Sequence, residues 1–97
     1  MKTETKHPNS LLRYRRRLGY TQEQVAQLLG LKSRSLLSRM ELGHSLPRLL
    51  TALQLAVLYR VPVDFLYYEI YLALRDEIRA REQMSAPPHQ GVLAFAA

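Results

Sequence analysis

Three glycines divide the first half of this chain into short helical segments. Gly19, Gly30 and Gly43 each follow a run with apolar residues at helical spacing, and each can close a helix in the left-handed region. Asn9 and Ser10 are good caps for a first helix over Leu11–Leu18. Thr21 caps a second over Gln22–Leu29, with Gln24 three residues on as the reciprocal partner of a capping box. Ser33 caps a third over residues 34–42, in which Leu37 and Met40 share a face. Pro47 suits the first turn of a fourth helix reaching about Tyr59, and its stripe of Leu49, Leu50, Leu53, Ala56 and Val57 predicts a core-facing surface. Pro62 interrupts the pattern, and one helical stretch is expected from Val63 to about Met84. No stretch alternates apolar and polar residues over six or more positions, so the chain reads as all-α, with no internal repeat.

The 97 residues are 47% hydrophobic and 23% charged, which predicts one globular domain with a modest core. No apolar run approaches the roughly 18 residues of a membrane span, so no membrane association is expected. The polar segment from Met1 to Asn9 has no secretory apolar stretch, so the expected location is the cytoplasm. Cysteine is absent, which removes disulfides and thiolate metal sites. His7, His44 and His89 are isolated from one another and from acid pairs at ligand spacing, so each is expected at the surface, with no metal and no cofactor. Neither a nucleophile–base pair nor a phosphate loop is present, and an enzyme is not expected.

Charge is unevenly placed. The net charge is +6 and the isoelectric point near 10.1. Residues 1–20 carry Lys2, Lys6, Arg13, Arg15, Arg16 and Arg17 against Glu4 alone, whereas residues 51–97 carry four arginines against five acids. A basic half of this kind suits a polyanion, and nucleic-acid phosphates are the common one, although an anionic membrane or simple solubility would give the same count.

Two short helices joined by a glycine-containing turn, with a basic helix before and an apolar one after, outline a helix-turn-helix unit. The residues from Leu18 to Ala26, LGYTQEQVA, resemble the "LTQ-x-x-[LV]-A" element of the phage-repressor and Cro-like (XRE) family of transcriptional regulators. Ser38 to Gly43, SRMELG, with Pro47 following, is similar to that family's "SR-x-E-x-G-x-x-x-P" pattern, and Leu55-Ala56 with Val61 to Leu66 resembles its fourth- and fifth-helix signature. The likeness spans roughly residues 10–67. It implies a five-helix, phage-repressor-like domain over 10–67; the residues outside it read as a polar arm (1–9), a C-terminal helical extension (68–84) and a tail (85–97).

A helix fits the DNA major groove, about 12 Å wide, where base edges display donors and acceptors. With Leu37 and Met40 inward, the third helix presents Ser33, Arg34, Ser35, Ser38 and Arg39 outward, and these are the expected base contacts. Arg34 and Arg39 suit bidentate pairing with guanine, and Leu36 suits a thymine methyl. The resemblance places Gln22 at a phosphate contact that buttresses the recognition helix. It also makes Arg15 and Glu41 a structural ion pair between the first and third helices. Arg13, Arg16, Arg17, His44, Ser45 and Arg48 flank the motif as backbone-contact candidates, although not all can face DNA.

Between Gly30 and Ser38 the chain is one residue longer than the commonest family spacing, so base-contact register is set only to within one position at residues 33–36. Gly43 and Pro47 anchor Arg39 and Glu41. Leu42 and Leu46 stand where the family favours polar residues, which suits core cover, contact with the tail or a protein interface. Tyr59, Tyr67, Tyr68 and Tyr71 read as half-buried rings with wet hydroxyls, or else as part of an interface.

One recognition helix reads too few base pairs to find a unique operator, so a homodimer on double-stranded DNA is expected, acting as a repressor. Val63, Leu66, Ile70, Leu74 and Ile78 give the C-terminal helix an apolar length suited to dimerisation. The alternative is an antitoxin that binds a protein toxin through the same region and autoregulates its operon.

Overall fold

The computed structural model describes residues 6–85, which form six helices with no strand among them: α1 (Leu11–Leu18), α2 (Gln22–Leu29), α3 (Ser35–Glu41), α4 (Leu49–Tyr59), α5 (Val63–Leu66) and α6 (Tyr68–Ser85). Residues 1–5 and nearly all of the expected tail, with His89, lie outside the described residues. The bounds of α1 and α2 coincide with the sequence reading because their stop signals are local. Gly19 and Gly30 both sit at φ 79°, where a side chain would be strained. Thr21 Oγ1 accepts from Gln24 N at 3.0 Å, and Gln24 Oε1 accepts from Thr21 N at 2.8 Å, completing the capping box. Ser10 makes no side-chain cap. Asn9 takes that place, its Oδ1 accepting from Leu11 N at 3.0 Å.

Three expectations are corrected. The third helix begins at Ser35 because Ser33 Oγ accepts from Ser35 N at 3.2 Å and holds residues 33–34 in a turn. Pro47 precedes α4 rather than lying in its first turn, and Arg48 is the N-cap. The stretch from Val63 is two helices, broken at Tyr67 (φ −131°, ψ 52°). The break has a long-range cause: the Leu66 carbonyl, which a continuous helix would offer to Ile70, accepts instead from Ser10 N at 2.9 Å.

The core is Leu11, Val25, Leu29, Leu37, Met40, Leu55, Tyr59 and Leu66, drawn from α1 to α5. On α4 the buried residues are Ala52, Leu55 and Tyr59, and of the predicted inward stripe only Ala56 packs half-buried against the core: Leu49, Leu50 and Val57 are each more than 70% exposed and Leu53 is 44% exposed. Apolar residues surround α4, so periodicity could not choose a side. The choice is made by the stack of Tyr59 on Tyr14 of α1, ring centres 6.3 Å apart, and by the fit of Leu55 into the core. Leu66, expected to help form a dimer interface, is fully buried, and Val63 packs half-buried against the same cluster. α6 buries no residue, and every position from 73 to 85 is exposed. α4 is closed by Arg60 in the left-handed region at φ 60°, where most helices use glycine.

The hydroxyls of Tyr59 and Tyr67 are buried and have no hydrogen-bond partner among the described residues, whereas Tyr68 and Tyr71 are nearly half exposed. Burial pushes the Tyr67 hydroxyl up to about 12. It pushes Tyr59 higher still, aided by the negative charge of Glu41. Both folded pKa values lie above the ordinary one of about 10, so ionisation of these groups costs no stability below pH ~10, and stability is lost as pH rises from there through the folded values. The midpoint of urea unfolding should therefore fall above pH ~10. In that window Tyr67→Phe should flatten the fall. At neutral pH both Tyr59→Phe and Tyr67→Phe should hold or raise stability by on the order of 1 kcal/mol, since an unsatisfied hydroxyl is removed. A clear loss at neutral pH would mean the hydroxyls are bonded.

Candidate nucleic-acid interface

The outer face of α3 gathers Arg34, Ser35, Ser38 and Arg39 around one shallow, mostly polar depression. Arg34, Ser35 and Arg39 are exposed and Ser38 is half-buried, while Leu37 and Met40 on the opposite face are fully buried. The amphipathic split follows from three- and four-residue spacing on a helix of only seven residues. Ser33 lies in the preceding turn with its hydroxyl engaged by Ser35 N, so it stands apart from the depression. Leu36 is half-buried against the core and does not project as a contact for a thymine methyl.

A hydrogen-bonded chain of side chains ties this face to the rest of the molecule. Arg15 Nε donates to Glu41 Oε2 at 2.6 Å and Arg15 Nη2 donates to Glu41 Oε1 at 3.0 Å, a two-point contact with side chains 13% and 5% exposed. Arg15 Nη1 also donates to the Tyr20 carbonyl at 3.0 Å, which fixes the α1–α2 turn to the same group. The Glu41 carboxylate bonded to it holds the Arg15 guanidinium above its ordinary pKa, so it stays charged. Gln22 Nε2 donates to Glu41 Oε1 at 2.8 Å, and Gln22 Oε1 accepts from Arg34 Nη1 at 3.0 Å. Arg34 Nε also lies 3.5 Å from Glu23 Oε2. The first residue of α2 thus links the interhelical ion pair to the start of α3. Gln22 Nε2 keeps one amide hydrogen unbonded, beside the backbone N–H groups that the first turn of α2 leaves without helical acceptors.

The remaining candidates are dispersed. His44 follows α3, its backbone N–H donating to the Arg39 carbonyl at 2.9 Å, and the residue is exposed. Arg48 is exposed at the N-cap of α4. The Ser45 hydroxyl is buried without a partner among the described residues, so it does not point outward. On α1, Arg16 is exposed. Arg17 lies over the Tyr14 ring at 5.7 Å, and Arg13 lines a groove with Pro8, Tyr68 and Glu69. Arg13 and Arg17 are each two positions from Arg15, roughly 160° around the helix, and so are turned away from the Glu41 side.

Sequence reasoning missed a clamp. Asn9 Nδ2 donates to the Met40 carbonyl at 3.0 Å and to the His7 carbonyl at 3.0 Å, and His7 N donates to the Gly43 carbonyl at 3.2 Å. These bonds fasten the segment before α1 to the end of α3. Local sequence marked Asn9 as a cap only, and nothing in it pointed to a partner 31 residues away. The resemblance gave Gln22 a buttressing role, but Arg34 as its partner, 12 residues on, had no local signal.

No helix among the described residues is long and apolar enough to cross a membrane. A comparison with curated proteins finds no match. A family model described as "Helix-turn-helix" matches residues 11–66, more than half of the chain and all of α1 to α5, and the chain belongs to this XRE-type family of DNA-binding transcriptional regulators.

Proposed function

We propose that the protein is a sequence-specific repressor that reads the major groove of double-stranded DNA with α3 and binds its operator as a homodimer. The observation that carries this reading is the face of Arg34, Ser35, Ser38 and Arg39, set on a buried apolar underside and braced through Gln22 to the Arg15–Glu41 pair. A side chain held before DNA arrives loses less freedom on binding, which favours discrimination between bases over general adhesion. Gln22, Arg16, His44 and Arg48 serve as phosphate contacts, and residues 10–67 form the DNA-binding unit. Repression needs only occupancy of a promoter, in the cytoplasm, and no catalysis. Residues 68–84 supply dimer contacts through Ile70, Leu74 and Ile78, which are half-buried or exposed, unlike Leu66.

Selection of binding sequences from a random duplex pool tests this. The expected product is an inverted repeat whose half-sites are centred about one helical turn, ~34 Å, or a multiple of it apart. Enrichment of no sequence, with only weak and strongly salt-dependent binding, would refute specific readout.

A further inference from the structure

Two apolar surfaces of this chain lack a partner within it. One is a groove between α2 and α4 lined by Leu28, Leu50, Leu53 and Val57, each 44–77% exposed. The other is the free part of α6, where Leu74 is 49% and Ile78 is 47% exposed on one stripe. The exposed run from 73 to 85 is only 13 residues long, near the length at which an isolated helix is marginal in water, so it gains by packing. α6 leaves the core directly after α5 and does not cover its own groove, whose leucines remain open. Helix and groove are complementary in kind: anchors at i and i+4 suit an apolar trough. The borders of the α6 stripe carry both signs, Glu77 paired with Arg81 and Glu82 with Arg79, so docking sets no net charge against Arg60, which stands beside Val57 at the end of the groove.

We propose that in the homodimer α6 of each copy lies in the α2–α4 groove of the other, a reciprocal exchange that closes with two-fold symmetry. The inference rests on the homodimer reading above and names the surface that α6 takes. Two such contacts per dimer cover both open faces at once, whereas α6 packed on α6 would leave the groove bare. Leu28 lies at the end of α2 opposite Gln22, so the docked helix leaves the Arg34–Arg39 face free for DNA.

The test uses full-length chains with Val57→Lys in the groove or Leu74→Glu on α6, both at exposed positions, with circular dichroism to verify folding. Sedimentation should show wild-type dimers and a dissociation constant raised at least roughly 30-fold in each variant. Mixing the two variants should restore dimers, because the mixed pair retains one untouched helix–groove contact. A mixture that stays monomeric overturns the exchange. So does a variant that dimerises alone: Leu74→Glu dimers would place the contact on α4 against α4, and Val57→Lys dimers on α6 against α6. Wild type that is monomeric at all concentrations and on operator DNA sinks the homodimer reading itself. The chain has no cysteine, so a second readout is free of background. With a short bismaleimide, Val57→Cys and Leu74→Cys chains should crosslink to each other in preference to themselves, and dominant self-crosslinking of either would refute the exchange.

Discussion

Replacing Glu41 by alanine is expected to lower the free energy of unfolding by about 3 kcal/mol, within the range for breaking a buried ion pair by removing one partner. The cost arises from what is left behind. Arg15 would keep a guanidinium that is 13% exposed, having lost both of its bonds to the carboxylate and retaining only the Tyr20 carbonyl. Gln22 Nε2 would lose its acceptor too. Arg15→Ala should cost a comparable amount, because it strands a carboxylate that is 5% exposed. The double replacement Arg15→Leu, Glu41→Leu should cost clearly less than the two alanine changes together, since no charge is stranded and two apolar side chains fill the space. Chemical denaturation of the four proteins measures this. Single variants within ~0.5 kcal/mol of wild type would mean that the pair behaves like a solvated surface pair. DNA affinity should fall further than stability alone explains, because Gln22 and through it Arg34 lose their brace.

The limits of the sequence reading follow from where each determinant lies. Gly19, Gly30 and the Thr21–Gln24 box act within a few residues of the ends they define, so the bounds of α1 and α2 could be read directly. The inward face of α4 could not. Apolar residues occupy most of that helix, and only the meeting of Tyr59 with Tyr14 selects Ala52, Leu55 and Tyr59 over the neighbouring stripe. The division of α5 from α6 was equally hidden, because no helix-breaking residue stands at Tyr67 and the Leu66 carbonyl is diverted by Ser10, 56 positions earlier. For the candidate site, the polar outer face of α3 was legible from spacing against Leu37 and Met40. The bonds that hold it, Gln22 to Arg34 and Asn9 to Met40, join residues 12 and 31 apart and leave no periodic trace. Leu36 and Ser33 were assigned outward from an assumed helix start one residue too early, and the Ser33–Ser35 contact in the lengthened turn accounts for that shift.

Arg39→Ala is expected to weaken operator binding by about 1–3 kcal/mol per half-site while lowering non-specific affinity much less, since a bidentate contact to one base carries discrimination of that size. Arg39 is exposed beside Ser38 and, among the described residues, makes no side-chain hydrogen bond or ion pair that would compete. Arg48→Ala should behave differently. A phosphate contact is blind to sequence, so its loss should reduce specific and non-specific binding alike and lower the slope of log affinity against log salt by about 1 per contact. Titrations of operator and scrambled duplex at several salt concentrations separate the two behaviours. Equal losses on both duplexes for Arg39→Ala would remove it from base readout. Arg34 adds a coupled case. Its Nη1 is already bonded to Gln22 Oε1, so Gln22→Ala should cost specific affinity by releasing Arg34 as well as by losing a phosphate contact. The combined Gln22→Ala, Arg34→Ala protein should then lose less than the two separate losses added together. Strict additivity would mean that the two side chains meet DNA independently, and the brace seen in the free protein would have no part in recognition.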